Sequence, residues 1–83
     1  MTYEAVGQMS QADGQCWQFH EVADSPQEAR DTLICRIWTL LRERHDGDRE
    51  TLDTLEFLRG WSGSDLTIAG YETWVDVYTH GGN

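Results

Sequence analysis

The chain has 83 residues, among them 15 Asp and Glu against six Arg and no Lys, for a net charge of −9; four Trp, three Tyr and two Phe lie within a 39% hydrophobic composition. This length supports one core and one domain, residues 1–83, and the aromatic content excludes a disordered acidic tail. The surplus negative charge selects basic partners and disfavours direct binding to nucleic acid or to anionic membrane.

In chain order, Tyr3–Met9 and Gln15–Val22 flank the polar turn Gln11-Ala12-Asp13-Gly14, which predicts a β-hairpin. The segment Ser25-Pro26-Gln27-Glu28 follows. Here Ser25 suits a helix N-cap, Pro26 the first turn and Glu28 the return arm of a capping box. The helix it opens sets Ala29, Leu33, Ile37, Leu40 and Leu41 on one face, with Ile34 and Trp38 widening the stripe, and ends in basic residues before Asp46-Gly47. A shorter helix is expected from about Asp48 to Arg59, with Leu52, Leu55 and Leu58 inward and Gly60 as terminator. Because Thr and Leu interleave there, a strand competes. Trp61–Asp65 reads as loop and Leu66–Ile68 as a short strand.

Tyr71–His80 alternates over its whole length. Tyr71, Thr73, Val75 and Val77 share one face, a core wall, whereas Glu72, Trp74, Asp76, Tyr78 and His80 share the other, which is acidic and aromatic. The expected fold is α+β: a small antiparallel sheet, made of a hairpin plus a C-terminal strand or hairpin, packed on one long and one short helix in the order ββααβ(β).

Charge is uneven along this map. Residues 1–29 carry −5, residues 30–45 carry +2, residues 46–58 carry −4 and residues 59–83 carry −2. Asp46, Asp48, Glu50, Asp53 and Glu56 set five carboxylates against one Arg; on a helix Glu50, Asp53 and Glu56 rise about 4.5 Å apart. Phosphates on one DNA strand rise about 3.4 Å each, so the row approaches the charge density of a nucleic-acid edge. The competing reading is a solvated helix face whose first-turn acids complement the dipole.

No motif for chemistry is complete. Gly60-Trp61-Ser62-Gly63-Ser64 lacks the final Gly of a nucleophile elbow. The calcium-loop pattern begun by Asp46, Asp48 and Glu50 meets Thr51 where Gly belongs and Phe57 where a bidentate Glu belongs. Cys16, Cys35, His20, His45 and His80 have no zinc-ligand spacing, and Cys16 and His20 would stand about 13 Å apart on a strand. No catalytic residue, metal or cofactor is therefore assigned. Cys16 and Cys35 read as reduced and mostly packed, Cys35 as a small hydrophobe within its helix. Trp17 and Trp38 read as core. Trp61, in a Gly/Ser loop, and Trp74, on the acidic strand face, are the contact candidates. No charged-then-apolar leader opens the chain and no apolar run reaches a membrane span, so an intracellular protein is expected.

In size, in the cluster from Asp46 to Glu56, in the face formed by Glu72, Trp74, Asp76 and Tyr78, and in its lack of Lys, the whole chain resembles the small anti-CRISPR proteins of phages and mobile elements. The likeness is one of profile, since those proteins share no motif that could be matched. It implies a non-enzymatic, stoichiometric inhibitor in the host bacterial cytoplasm that binds a CRISPR effector, a type I Cascade-like complex foremost. Carboxylates would oppose the Lys/Arg surface that receives target DNA, or the inhibitor would block nuclease recruitment. The site residues expected on this reading are Asp46, Asp48, Glu50, Asp53, Glu56, Trp61, Glu72, Trp74, Asp76 and Tyr78. The alternative is a small adaptor domain that docks, or forms a homodimer, through its aromatic strand face.

Overall fold

The computed structural model describes residues 1–80. It is the expected α+β fold: strands β1 (Thr2–Gln11) and β2 (Cys16–Ala23), helices α1 (Pro26–Arg44) and α2 (Arg49–Leu55), a 3-10 helix (Glu56–Gly60), and strands β3 (Asp65–Ile68) and β4 (Tyr71–His80). The C-terminal segment forms a full hairpin, so the order is ββααββ. The four strands make one antiparallel sheet in the order β2-β1-β4-β3, which places the N-terminal strand beside the C-terminal one at the centre.

The first turn closes with Gly14 N–H donating to Gln11 O (3.0 Å) and Gln11 N–H to Gln15 O (2.9 Å), while Gly14 takes φ +93°. This is a three-residue loop in which only the Gly needs the left-handed region. Ser25 Oγ accepts from Glu28 N–H at 3.1 Å, and Pro26 starts α1. The helix buries Ala29, Leu33, Ile37 and Leu41 against Met9, Phe19 and the other inward side chains of the sheet, while Leu40, Ile34 and Trp38 pack at its margins. Gly7, at the middle of β1, lets α1 approach: a Cβ there would stand 2.9 Å from the Trp74 carbonyl and 3.1 Å from Leu33 Cδ2.

Residues 49–55 are helical, not extended. Asp48 caps them, accepting from Thr51 N–H (3.3 Å) and Thr51 Oγ1 (2.7 Å). Beyond Leu55 the winding tightens to a 3-10 helix as far as Gly60, and Leu55 and Leu58 reach the core together. The Ala69-Gly70 turn joins β3 to β4 with positive φ at both residues, 52° and 83°.

Two expectations are corrected. Cys16 and Cys35 are free but exposed, not packed. Cys35 lies two positions from both Leu33 and Ile37, about 200° around the helix from each, and so on its outer side. Trp17 and Trp38 are half-buried side chains lying against the core and are not core members themselves. Arg44 lies over Trp17, and Arg42 and Arg59 lie over Trp38.

Candidate protein-binding face

The helices cover one side of the sheet and leave the other open. Strand alternation decides which side chains stand there: Glu72, Trp74, Asp76 and Tyr78 from β4, Glu4, Val6 and Gln8 from β1, Gln18, His20 and Val22 from β2, and Asp65 and Thr67 from β3. The side chain of His80, expected on this face, lies outside the described residues. Register brings Gln8 and Asp65 opposite Trp74, Val6 opposite Asp76 and Glu4 opposite Tyr78. Trp74 is 39% exposed, Tyr78 48% and Val22 52%, so large apolar side chains stand in water on the outward rows of β4 and β2. A shallow depression of about 310 Å³ runs between Trp74, Val6, Gln8, Gln18 and His20.

Electrostatics sharpen this asymmetry. All six arginines fall within residues 30–59, in the helical layer, and most are engaged there. Arg30 lies over the Trp61 ring at 5.0 Å, Arg44 over Trp17 at 4.6 Å, and Trp38 is flanked by Arg42 at 5.0 Å and Arg59 at 5.9 Å. Arg36 donates to Glu21 at 2.7 Å. The open face thus carries Glu4, Asp65, Glu72 and Asp76 with neither Arg nor Lys, and its one described imidazole, His20, pairs with Glu4. Tyr78 Oη donates to Asp76 Oδ2 at 3.3 Å; the Asp76 charge, first among the causes, pushes the phenol pKa up and keeps it a neutral donor. An indole flanked by carboxylates two residues away on either side, on the same face, joins a ring face that attracts cations to acids that accept hydrogen bonds from guanidinium or ammonium groups.

The second acidic region is less free. Asp48 is committed to capping α2, and the two Thr51 bonds, the hydroxyl first, hold its carboxyl below the usual aspartate value. Glu56 opens the 3-10 helix and pairs with Arg59 at 3.6 Å. Glu50 and Asp53 remain exposed on α2, and Asp46 lies exposed in the turn before it. Trp61 does not join Trp74. It is half-buried against the core, and Arg30, whose guanidinium covers it, donates to the Trp61 carbonyl (3.4 Å) and the Gly63 carbonyl (2.5 Å).

Of the ten expected site residues, the structure therefore gathers Glu72, Trp74, Asp76 and Tyr78 on the open face. It sets Asp46, Asp48, Glu50, Asp53, Glu56 and Trp61 in the helical layer. The β1 and β2 members, Glu4, Val6, Gln18, His20 and Val22, were not foreseen, although the period-2 pattern of the hairpin contains them once its register with β4 is known. Phe57, 60% exposed beside Asp53 and Glu56, is a further unforeseen aromatic. Among the described residues, no three His, Cys, Asp or Glu side chains gather as a metal site, and no helix is long and apolar enough to cross a membrane. Comparison with protein-family models, curated proteins and solved structures finds no match to this chain.

Proposed function

We propose that this chain is a non-enzymatic binding domain whose open sheet face docks on a basic, nucleic-acid-binding protein surface and blocks it, with a type I CRISPR effector as the target class. The observation that carries the reading is the separation of charge between layers. Trp74 and Tyr78 stand exposed among Glu72, Asp76 and Glu4, while every arginine lies on the far side of the sheet. Of the two acidic regions the sheet face is the main contact on this reading, because it joins carboxylates to exposed aromatic surface, the composition of interface anchors. The α2 carboxylates Glu50 and Asp53 extend the negative field and speed encounter.

The test is retention of purified type I effector by the immobilised chain at low and high salt, with target-DNA binding measured on the retained complex. Retention that weakens with salt, falls on Asp76→Lys and excludes DNA is the expected result. A folded Asp76→Lys, Glu72→Lys variant that inhibits fully removes the charge model. The exposed apolar area on the same face also favours a second reading, an adaptor domain docking by apolar contact. Association insensitive to salt but lost on Trp74→Ala selects it.

A further inference from the structure

The two edges of the sheet differ. β3 is four residues long, whereas β2 offers eight residues and neither Lys nor Pro, two of the devices that keep a free edge from pairing. Gln11 N–H bonds Gln15 O, so in the antiparallel register Trp17, Phe19 and Glu21 bond back to β1. Cys16, Gln18, His20 and Val22 therefore turn their N–H and C=O groups outward. Beside this edge a groove of about 440 Å³ is bounded by Trp17, Phe19, Leu40, Arg36 and Glu43. Arg36, Leu40 and Glu43 share the flank of α1 above β2, the flank opposite Ile34 and Trp38.

From this geometry we infer that β2 is a self-pairing edge: two copies join antiparallel through β2 about a two-fold axis at Phe19, giving one continuous eight-stranded sheet. Helix α1 runs antiparallel to β2, since Arg36 meets Glu21 near one end and Arg44 covers Trp17 near the other, so residues 39 and 40 lie level with Phe19. The axis that sets Phe19 opposite its own copy thus sets Arg36 opposite the second copy's Glu43, and the reverse. It also pairs Gln18 with the second copy's His20 through the outward backbone groups. Helix α1 packs on β2 and β1 more than on β4, so an axis beyond β2 brings the two α1 helices side by side on one face of the joined sheet.

Charge identifies the occupant as a second copy. In a chain of net −9, Glu21, Arg36, Glu43 and Arg44 balance along this edge, and Arg36 and Glu43, seven residues apart on one helix flank, are self-complementary under the two-fold. The open acidic face is left free, so this inference stands or falls independently of the proposed target.

Light scattering and sedimentation of the full chain across a concentration range test it. A concentration-dependent dimer is expected, with amide exchange slowed at Gln18 and His20 as dimer forms. Arg36→Glu and Glu43→Arg each weaken dimerisation by about tenfold or more, and the two combined with Glu21→Arg, which keeps the internal pair with its signs reversed, restore it. A chain monomeric at every concentration overturns the inference. So does a dimer indifferent to both single changes, a triple exchange that folds but fails to restore it, or a dimer lost instead on Trp74→Ala, which would place the contact on the open face.

Discussion

The Tyr71 hydroxyl lies 2.9 Å from His45 Nε2, joining the first residue of β4 to the residue that caps the end of α1. Arg44 Nε donates to the same oxygen at 3.2 Å, and the guanidinium also covers Trp17 and reaches Gln15 Oε1 at 3.3 Å. Tyr71 itself is fully buried, so its hydroxyl is held where the helix terminus can satisfy it. Tyr71→Phe keeps the ring and removes this junction; the expected loss is about 1 kcal/mol in urea denaturation, since His45 and Arg44 can both turn to water.

Gly7→Ala should be among the more damaging single-methyl changes in the chain. The nearest atom to the new Cβ is a backbone carbonyl of β4 at 2.9 Å, which cannot move aside as a side-chain tip would. A loss of roughly 1–3 kcal/mol is expected, whereas Gly60→Ala, whose Cβ meets nothing within 4 Å, should be close to neutral by the same denaturation assay.

Ala69 stands at φ 52° in the two-residue β3–β4 turn, where Asn or Gly is the ordinary occupant. Ala69→Asn should raise stability by about 0.5–1 kcal/mol through relief of the left-handed conformation, read as an increase in Tm.

Asp48 links acid stability to α2. Its carboxyl pKa is lowered by the Thr51 bonds, so the folded state binds the proton less readily than the unfolded chain. The contribution is present above about pH 4, the unfolded aspartate range, and is lost as pH falls through the lower folded value. Asp48→Asn should therefore shrink the difference in α2 amide protection between neutral pH and pH 3, and Thr51→Val should do the same.

Trp61 and Trp74 should separate stability from binding. Trp61→Ala removes a half-buried ring held under Arg30 and should cost roughly 2 kcal/mol in urea denaturation. Trp74→Ala should cost about 1 kcal/mol or less and instead weaken retention of the proposed basic partner.

Much of this architecture is written in local pattern. Alternation over Tyr71–His80 gives β4 at its observed limits and places its described side chains, Tyr71 to Tyr78, on the faces they occupy, because a strand with one buried side must repeat every two residues. Ser25-Pro26 likewise marks the start of α1 through a cap that needs only neighbours. The change from α to 3-10 winding at Glu56 left no mark in the pattern, because Leu55 and Leu58, three apart, share a face in either winding. The rest of what escaped depends on distant contacts. The pairing of Arg44 with Trp17 and of Arg30 with Trp61 spans some thirty residues in each case, so the sequence shows the arginines gathered in the helical segments but not that they cover indoles. For the same reason the open face could be read on β4 alone, and its β1 and β2 members were not.

The arginine–indole stacking gives the molecule a built-in optical label. Three of the four tryptophans sit beneath guanidinium groups at the margins of the core; among the described residues Trp74 alone has no such cover. Its emission should lie furthest to the red and be the most open to an aqueous quencher, while the other three report on the integrity of the fold. A ligand seated on the open side of the sheet would shift the red component and leave the remainder unchanged, so a single unlabelled spectrum distinguishes occupancy from unfolding.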